Sequence, residues 1–183
     1  MGWDAMRNTT LAKEKELGVV PENTDLALRD QWVKAWDSLT ADEKKLYARF
    51  AEVHAAYIDY TDEQIGRFLK YLEDSGQLNS TMIVLISDNG ASPEGDANGF
   101  TNMIMWANSV SEGGDTSGFQ ADFLPILNIT NISTMLSKID EIGGPLSYPT
   151  YPLGWAMADN TPHKLYKWTS HEGGTHDPMI VYW

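Results

Sequence analysis

Two stretches of the sequence gather side chains that could do chemistry. The first is Asp88-Asn89, set just after the apolar run Thr81 to Ser87. In open α/β sheets ligands bind beyond the carboxyl ends of strands, and a carboxylate beside an amide oxygen suits a hard cation such as Ca2+ or Mg2+. Asp-Asn-Gly is also a common turn sequence. Two donors fall short of the about six oxygens such ions take, so further ligands would have to come from elsewhere. The second stretch is Lys167-Trp168-Thr169-Ser170-His171-Glu172-Gly173-Gly174. Lys167 offers a point charge for an anionic group, and the glycine pair permits close backbone approach. A solvated lysine followed by a turn would read the same way.

Other chemical candidates are weaker. His171 and His176 flank the glycine pair at a spacing that is not a zinc-ligand spacing without an intervening helix. His171 and Glu172 are therefore expected to stand behind the groups that touch a ligand. His54 and His163 read as surface or partly buried residues with no catalytic part, and Glu63 with Arg67 as a helix-surface ion pair. Neither type of glycine-rich phosphate loop is present, and no G-x-S-x-G elbow. The chain has no cysteine, which excludes disulfides, thiolate zinc sites and a cysteine nucleophile within these residues. Asn8, Asn79, Asn128 and Asn131 each head an Asn-x-Ser/Thr sequon, a mild excess compatible with glycosylation.

The elements that must position these residues follow from periodicity. Thr40 and Glu43 make a capping box, and Leu46, Phe50, Val53, Tyr57, Tyr60, Phe68 and Leu72 keep a period near 3.6, which predicts one long helix over about 40–75. Thr81 to Ser87 then predicts a strand over about 81–87 buried on both faces, as in a parallel sheet covered by helices. Met179 to Trp183 reads as the start of a second buried strand. A shorter helix is expected around Thr10 to Leu17, stopped by Gly18, and another around Ser133 to Glu141. Val20 to Asp37 reads as an ordered loop, and residues 143–162 as a long irregular segment. The fold class is α/β, and 183 residues suit a single domain.

The formal charge of −13 is spread along the chain: ten basic and eighteen acidic residues fall in 1–99, three and eight in 100–183. With no Lys/Arg cluster larger than Lys44-Lys45, nucleic acid and anionic membranes are disfavoured as partners. No apolar run approaches the roughly twenty residues of a membrane span, and the first residues carry no signal-peptide core.

Three ordered motifs, Asp59-Tyr60-Thr61-Asp62-Glu63-Gln64-Ile65-Gly66-Arg67-Phe68-Leu69, Ile83 to Gly90, and Lys167 to Gly174, resemble the sulfatases, and specifically the arylsulfatases. Gly2-Trp3-Asp4 and Gly154-Trp155-Ala156-Met157-Ala158 resemble the same enzymes. The resemblance spans nearly the whole chain. It implies an alkaline-phosphatase-like α/β/α sandwich with a mostly parallel sheet, hydrolysis of sulfate esters by a formylglycine nucleophile, and one bound Ca2+. Asp88 and Asn89 would be two of the calcium ligands and Lys167 the lysine that contacts the substrate sulfate. In the family a hydrated formylglycine attacks sulfur, and a covalent sulfo-enzyme then collapses with help from a histidine base.

The departures are equally specific. The family forms its nucleophile from Cys or Ser in a Cys/Ser-x-Pro-x-Arg motif, and this chain has none. Its nearest approach, Ser147-Tyr148-Pro149-Thr150-Tyr151, carries Tyr151 in place of the arginine and follows Asp88 instead of preceding it. The paired amino-terminal aspartate ligands are missing as well, and His176 stands where the family places an arginine. Residues 1–183 are therefore expected to be part of one sulfatase catalytic domain, incomplete at both ends and inactive alone, with the remainder of that domain as partner. The substrate would be a sulfated small molecule or sulfated glycan, and the parent protein would be secreted or periplasmic. A phosphate-ester hydrolase of the same superfamily and a non-catalytic Ca2+-binding or interaction module are the alternatives.

Overall fold

The computed structural model describes residues 1–103 and 131–183; the Asn128 sequon lies outside them. Helix α1 spans Trp3–Glu16 and so begins a turn and more before the expected start at Thr10. Its buried residues, Trp3, Arg7 and Leu11, are spaced four apart and define one face. A charged residue at the middle position hides that stripe from a reading of hydrophobicity. Arg7 is buried because Nη2 donates to the Ala27 carbonyl at 2.6 Å, anchoring the following loop. The helix stops at Gly18, whose φ of +71° suits a residue without a Cβ.

Helix α2 runs unbroken over Ala41–Asp74, as the periodicity predicts. Both arms of the capping box form: Glu43 N donates to Thr40 Oγ1 at 3.2 Å, and Thr40 N donates to Glu43 Oε2 at 2.7 Å. Thr61 starts no second helix, since its hydroxyl donates to Tyr57 O within the same one. Arg67 reaches Gln64 Oε1 at 2.6 Å rather than the expected Glu63. Apart from Leu72 near its end, the residues that α2 buries lie in its first half. Leu46, Tyr47 and Phe50 are buried, whereas Tyr57, Tyr60, Phe68 and Tyr71 are exposed.

Short helices follow: α3 (Ile132–Ser137), continued by a 3-10 turn at Ile139–Glu141, then α4 (Leu153–Asp159) and α5 (Glu172–Thr175). Helix α4 corrects the reading of 143–162 as irregular throughout. Its core-facing surface includes Gly154, because the six-membered edge of the Trp3 indole occupies the place of a side chain there; a Cβ would meet Trp3 Cδ2 at 2.5 Å. Glycine lowers helix propensity, so this contact is what makes the segment unreadable locally. Trp3 meets Trp155 edge-on at 5.7 Å and Trp36 at 4.8 Å, and Trp155 Nε1 donates to Tyr47 O at 2.8 Å. The core therefore joins α1, the loop before α2, α2 and α4.

Strands β1 (Ile83–Ile86) and β2 (Met179–Tyr182) lie where the sequence places strands, but they pair antiparallel, with Ile83 opposite Tyr182 and Ile86 opposite Met179. Among the described residues they form a two-stranded sheet. The expected burial on both faces is not seen either: Val84, Leu85 and Ile86 are 46–62% exposed. An apolar run records that a strand is suited to burial; it carries no information about the direction of its neighbour or which other segments cover it.

Candidate functional site

β1 delivers the chain into the turn Ser87 to Gly90. Ser87 Oγ donates to Asn89 O at 2.8 Å and Asn89 Nδ2 donates to Gly90 O at 2.9 Å, while Asn89 Oδ1 has no hydrogen-bond partner among the described residues. The Asp88 carboxylate is exposed and has no ion-pair or hydrogen-bond partner among the described residues. An unengaged carboxylate next to an amide oxygen fits part of the oxygen set of a Ca2+ ion, though these two residues alone supply only a minority of it.

The turn packs against the second chemical stretch, backbone to backbone. Gly90 N approaches Gly174 O at 3.5 Å, and Lys167 N donates to Ala91 O at 3.1 Å. A Cβ on Gly90 would sit 1.8 Å from Gly173 O, and one on Gly173 would sit 2.0 Å from Leu165 O. Gly90 is thus required where the two motifs meet, and Gly173 by the packing of its own segment against Leu165. Asn160, directly after α4, fastens it from the side: Oδ1 accepts from Ala91 N at 2.9 Å and Nδ2 donates to Leu165 O at 3.1 Å.

Lys167 lies between two residues of left-handed backbone, Leu165 at φ +64° and Trp168 at φ +77°. Non-glycine residues adopt this conformation at a cost, and such positions concentrate where a side chain must be aimed. The ammonium lies 3.1 Å from Glu94 Oε1, with both side chains about a quarter to a third exposed (30% and 25%). Glu94 is itself held by Ser92, whose hydroxyl donates to Oε2 at 2.9 Å and accepts from Glu94 N at 3.2 Å. The lysine is therefore a positioned cation. Neither Glu94 nor Asn160 was among the candidates from sequence, since each acts through a partner far along the chain. Burial pushes the pKa of the Tyr151 phenol up, with the Asp159 charge adding to the effect.

His171 caps α5 through its backbone and its side chain is exposed. Glu172 turns to two other histidines instead: Oε2 lies 3.1 Å from His163 Nδ1 and 3.9 Å from His176 Nδ1. His54 is accounted for by packing, with Nε2 at 3.4 Å from Asp159 and its ring edge-on to Tyr151. Asn8, Asn79 and Asn131 are all exposed. Asn131 also caps α3 by accepting from Thr134 N, and Asn8 Nδ2 donates to Asp4 O within α1.

The sulfatase family model matches residues 8–183. The chain belongs to the sulfatase family. Over 182 residues, 98% of its length, it is 31% identical to a protein of Schizosaccharomyces pombe described as an uncharacterized sulfatase, and over 181 residues 28% identical to an arylsulfatase of Klebsiella aerogenes. It spans 28% and 33% of the lengths of these two relatives. In this sulfatase chain the two candidate segments, 88–90 and 167–174, come from positions far apart in sequence and meet through main-chain contacts.

Proposed function

We propose that the complete protein to which these residues belong hydrolyses sulfate esters, and that the face formed by Asp88, Asn89 and Lys167 handles the sulfate group. The observation that carries this reading is the hydrogen bond from Lys167 N to Ala91 O, which seats Lys167, held by Glu94, beside the Asp-Asn turn. On a chain of charge −13, in which residues 100–183 hold only Lys138, Lys164 and Lys167 as cations, a dianionic or monoanionic substrate is repelled nearly everywhere. A fixed ammonium at this point offsets that repulsion locally.

Hydrolysis breaks the bond between sulfur and the ester oxygen, and the departing oxygen gains negative charge as it leaves. Lys167 stabilises that charge or the charge of the sulfate oxygens, while Glu94 holds the ammonium in place until substrate arrives. Asp88 and Asn89 would hold a Ca2+, which when bound would polarise the sulfate oxygens. The nucleophile is not among these 183 residues, since they contain no Cys/Ser-x-Pro-x-Arg motif. A formylglycine formed elsewhere in the complete protein fills that role, and residues 1–183 are one part of an alkaline-phosphatase-like catalytic domain. In that domain β1 and β2 belong to a larger sheet, which covers the apolar side chains they expose. The substrate is a sulfated small molecule or glycan, and Asn8, Asn79, Asn128 and Asn131 are glycan acceptors if the protein is secreted.

The test is steady-state kinetics of the full-length gene product on a matched pair of chromogenic aryl esters. The aryl sulfate is expected to be hydrolysed with the higher kcat/KM. Preference for the aryl phosphate would assign the protein to phosphate-ester hydrolysis instead.

A further inference from the structure

We propose that His163, Glu172 and His176 form a binding site for a divalent transition metal of the Zn2+ type. One ligand atom from each of the three residues lies within 4.8 Å of the other two. Glu172 Oε2 is 3.1 Å from His163 Nδ1 and 3.9 Å from His176 Nδ1. Tetrahedral coordination at about 2.0–2.1 Å places ligand atoms roughly 3.3 Å apart, so small side-chain rotations suffice to close the set around an ion.

The fold brings the three together for reasons independent of any metal. Helix α5 is a single turn, and Glu172 and His176 sit four apart across it, with His176 N donating to Glu172 O at 2.8 Å, so their side chains share a face. His163 arrives from the loop after α4, tied down by its own N–H to Asn160 O at 2.7 Å. Its imidazole stacks on that of His176, ring centres 4.6 Å apart and planes 23° from parallel. The expectation from spacing alone considered His171 with His176. The turn of helix between them instead pairs Glu172 with His176.

Two imidazole nitrogens and one carboxylate oxygen favour Zn2+ and its borderline neighbours over Ca2+ or Mg2+, which select oxygen. Three protein ligands leave a fourth position for water. The group borders an open cavity of about 790 Å3 that also receives the Glu14 carboxylate, whose Oε2 is buried with no hydrogen-bond partner among the described residues. Solvent and ions can therefore reach the site, and a second anionic group lines the approach. A bound ion would join the loop after α4 to α5, the element that carries Gly173 against Gly90.

The experiment is calorimetric titration of the chelator-stripped full chain with Zn2+, repeated with Glu172→Gln, His176→Ala and His171→Ala. One Zn2+ is expected to bind, at least about tenfold more weakly in the first two variants and unchanged in the third. The Co2+-loaded chain should show the intense visible absorption of a tetrahedral site, lost in His176→Ala. Circular dichroism of each stripped variant establishes that it is folded. Absence of Zn2+ binding by the folded chain, equal affinity in all variants, or full competition by an equal concentration of Ca2+ would overturn the proposal.

Discussion

Gly90 shows how one residue can hold two motifs in register. The missing side chain lets its Cα approach the Gly173 carbonyl, at a separation where a Cβ would have only 1.8 Å. Carbonyl oxygens of the backbone cannot rotate away as a flexible side chain would, so Gly90→Ala must push the 88–91 turn off the 165–174 segment. A destabilisation of at least about 1–3 kcal/mol is expected, read as a lower midpoint in urea denaturation; an unchanged midpoint would mean that the two segments are not in contact. At this scale the sequence points to candidate groups by their type and says nothing about the residues that hold them in place. Asp88, Asn89 and Lys167 stand out by type and by their place beside glycines. Glu94 does not, because its role comes from an ion pair to a lysine 73 residues away, and Asn160 bridges two main-chain segments that no local pattern connects.

Among the elements, α2 owes its start to the Thr40–Glu43 box, and Glu43 does more than cap. Its carboxylate, only 9% exposed, also accepts from Lys34 Nζ at 2.9 Å. The bond to Lys34, followed by those to Thr40, holds the Glu43 pKa below the usual carboxylate value. A depressed folded-state pKa gives stability that is present above the unfolded value and lost as pH falls through the folded one. Glu43→Gln retains a capping-box partner but removes the charge. Thermal denaturation of this variant should therefore show a shallower loss of stability on acidification, with a neutral-pH difference of about 1 kcal/mol or less; an acid limb identical to wild type would remove Glu43 from the account. Helix α2 was legible because the capping pair Thr40 and Glu43 and the apolar positions from Leu46 to Leu72 agree over a long stretch. The first half of α1 and the whole of α4 were not, because Arg7 and Gly154 occupy core-facing positions for tertiary reasons, a carbonyl to bind and an indole to admit. The strands were visible as apolar runs, while their antiparallel pairing is a property of the chain path between them.

For the whole molecule, the two ends of the α2–β1 unit differ in character. The tryptophan core around Trp3, Trp36 and Trp155 is closed, whereas β1, β2 and the second half of α2 expose aliphatic and aromatic side chains. Exposed apolar side chains in this number are suited to burial against other protein, and the chain spans about a third of the length of its relatives. Charge acts over the same distances. The chain carries thirteen basic and twenty-six acidic residues, and Lys167 is a cation whose main chain is bonded to Ala91, just past the Asp88–Asn89 turn. The direct test is kcat/KM for an aryl sulfate in the full-length gene product carrying Lys167→Ala. Loss of one electrostatic stabiliser of the transition state predicts a fall of about 100-fold or more, chiefly in kcat, with the thermal midpoint nearly unchanged. Wild-type turnover in a folded Lys167→Ala protein would contradict the assignment of this face to the sulfate.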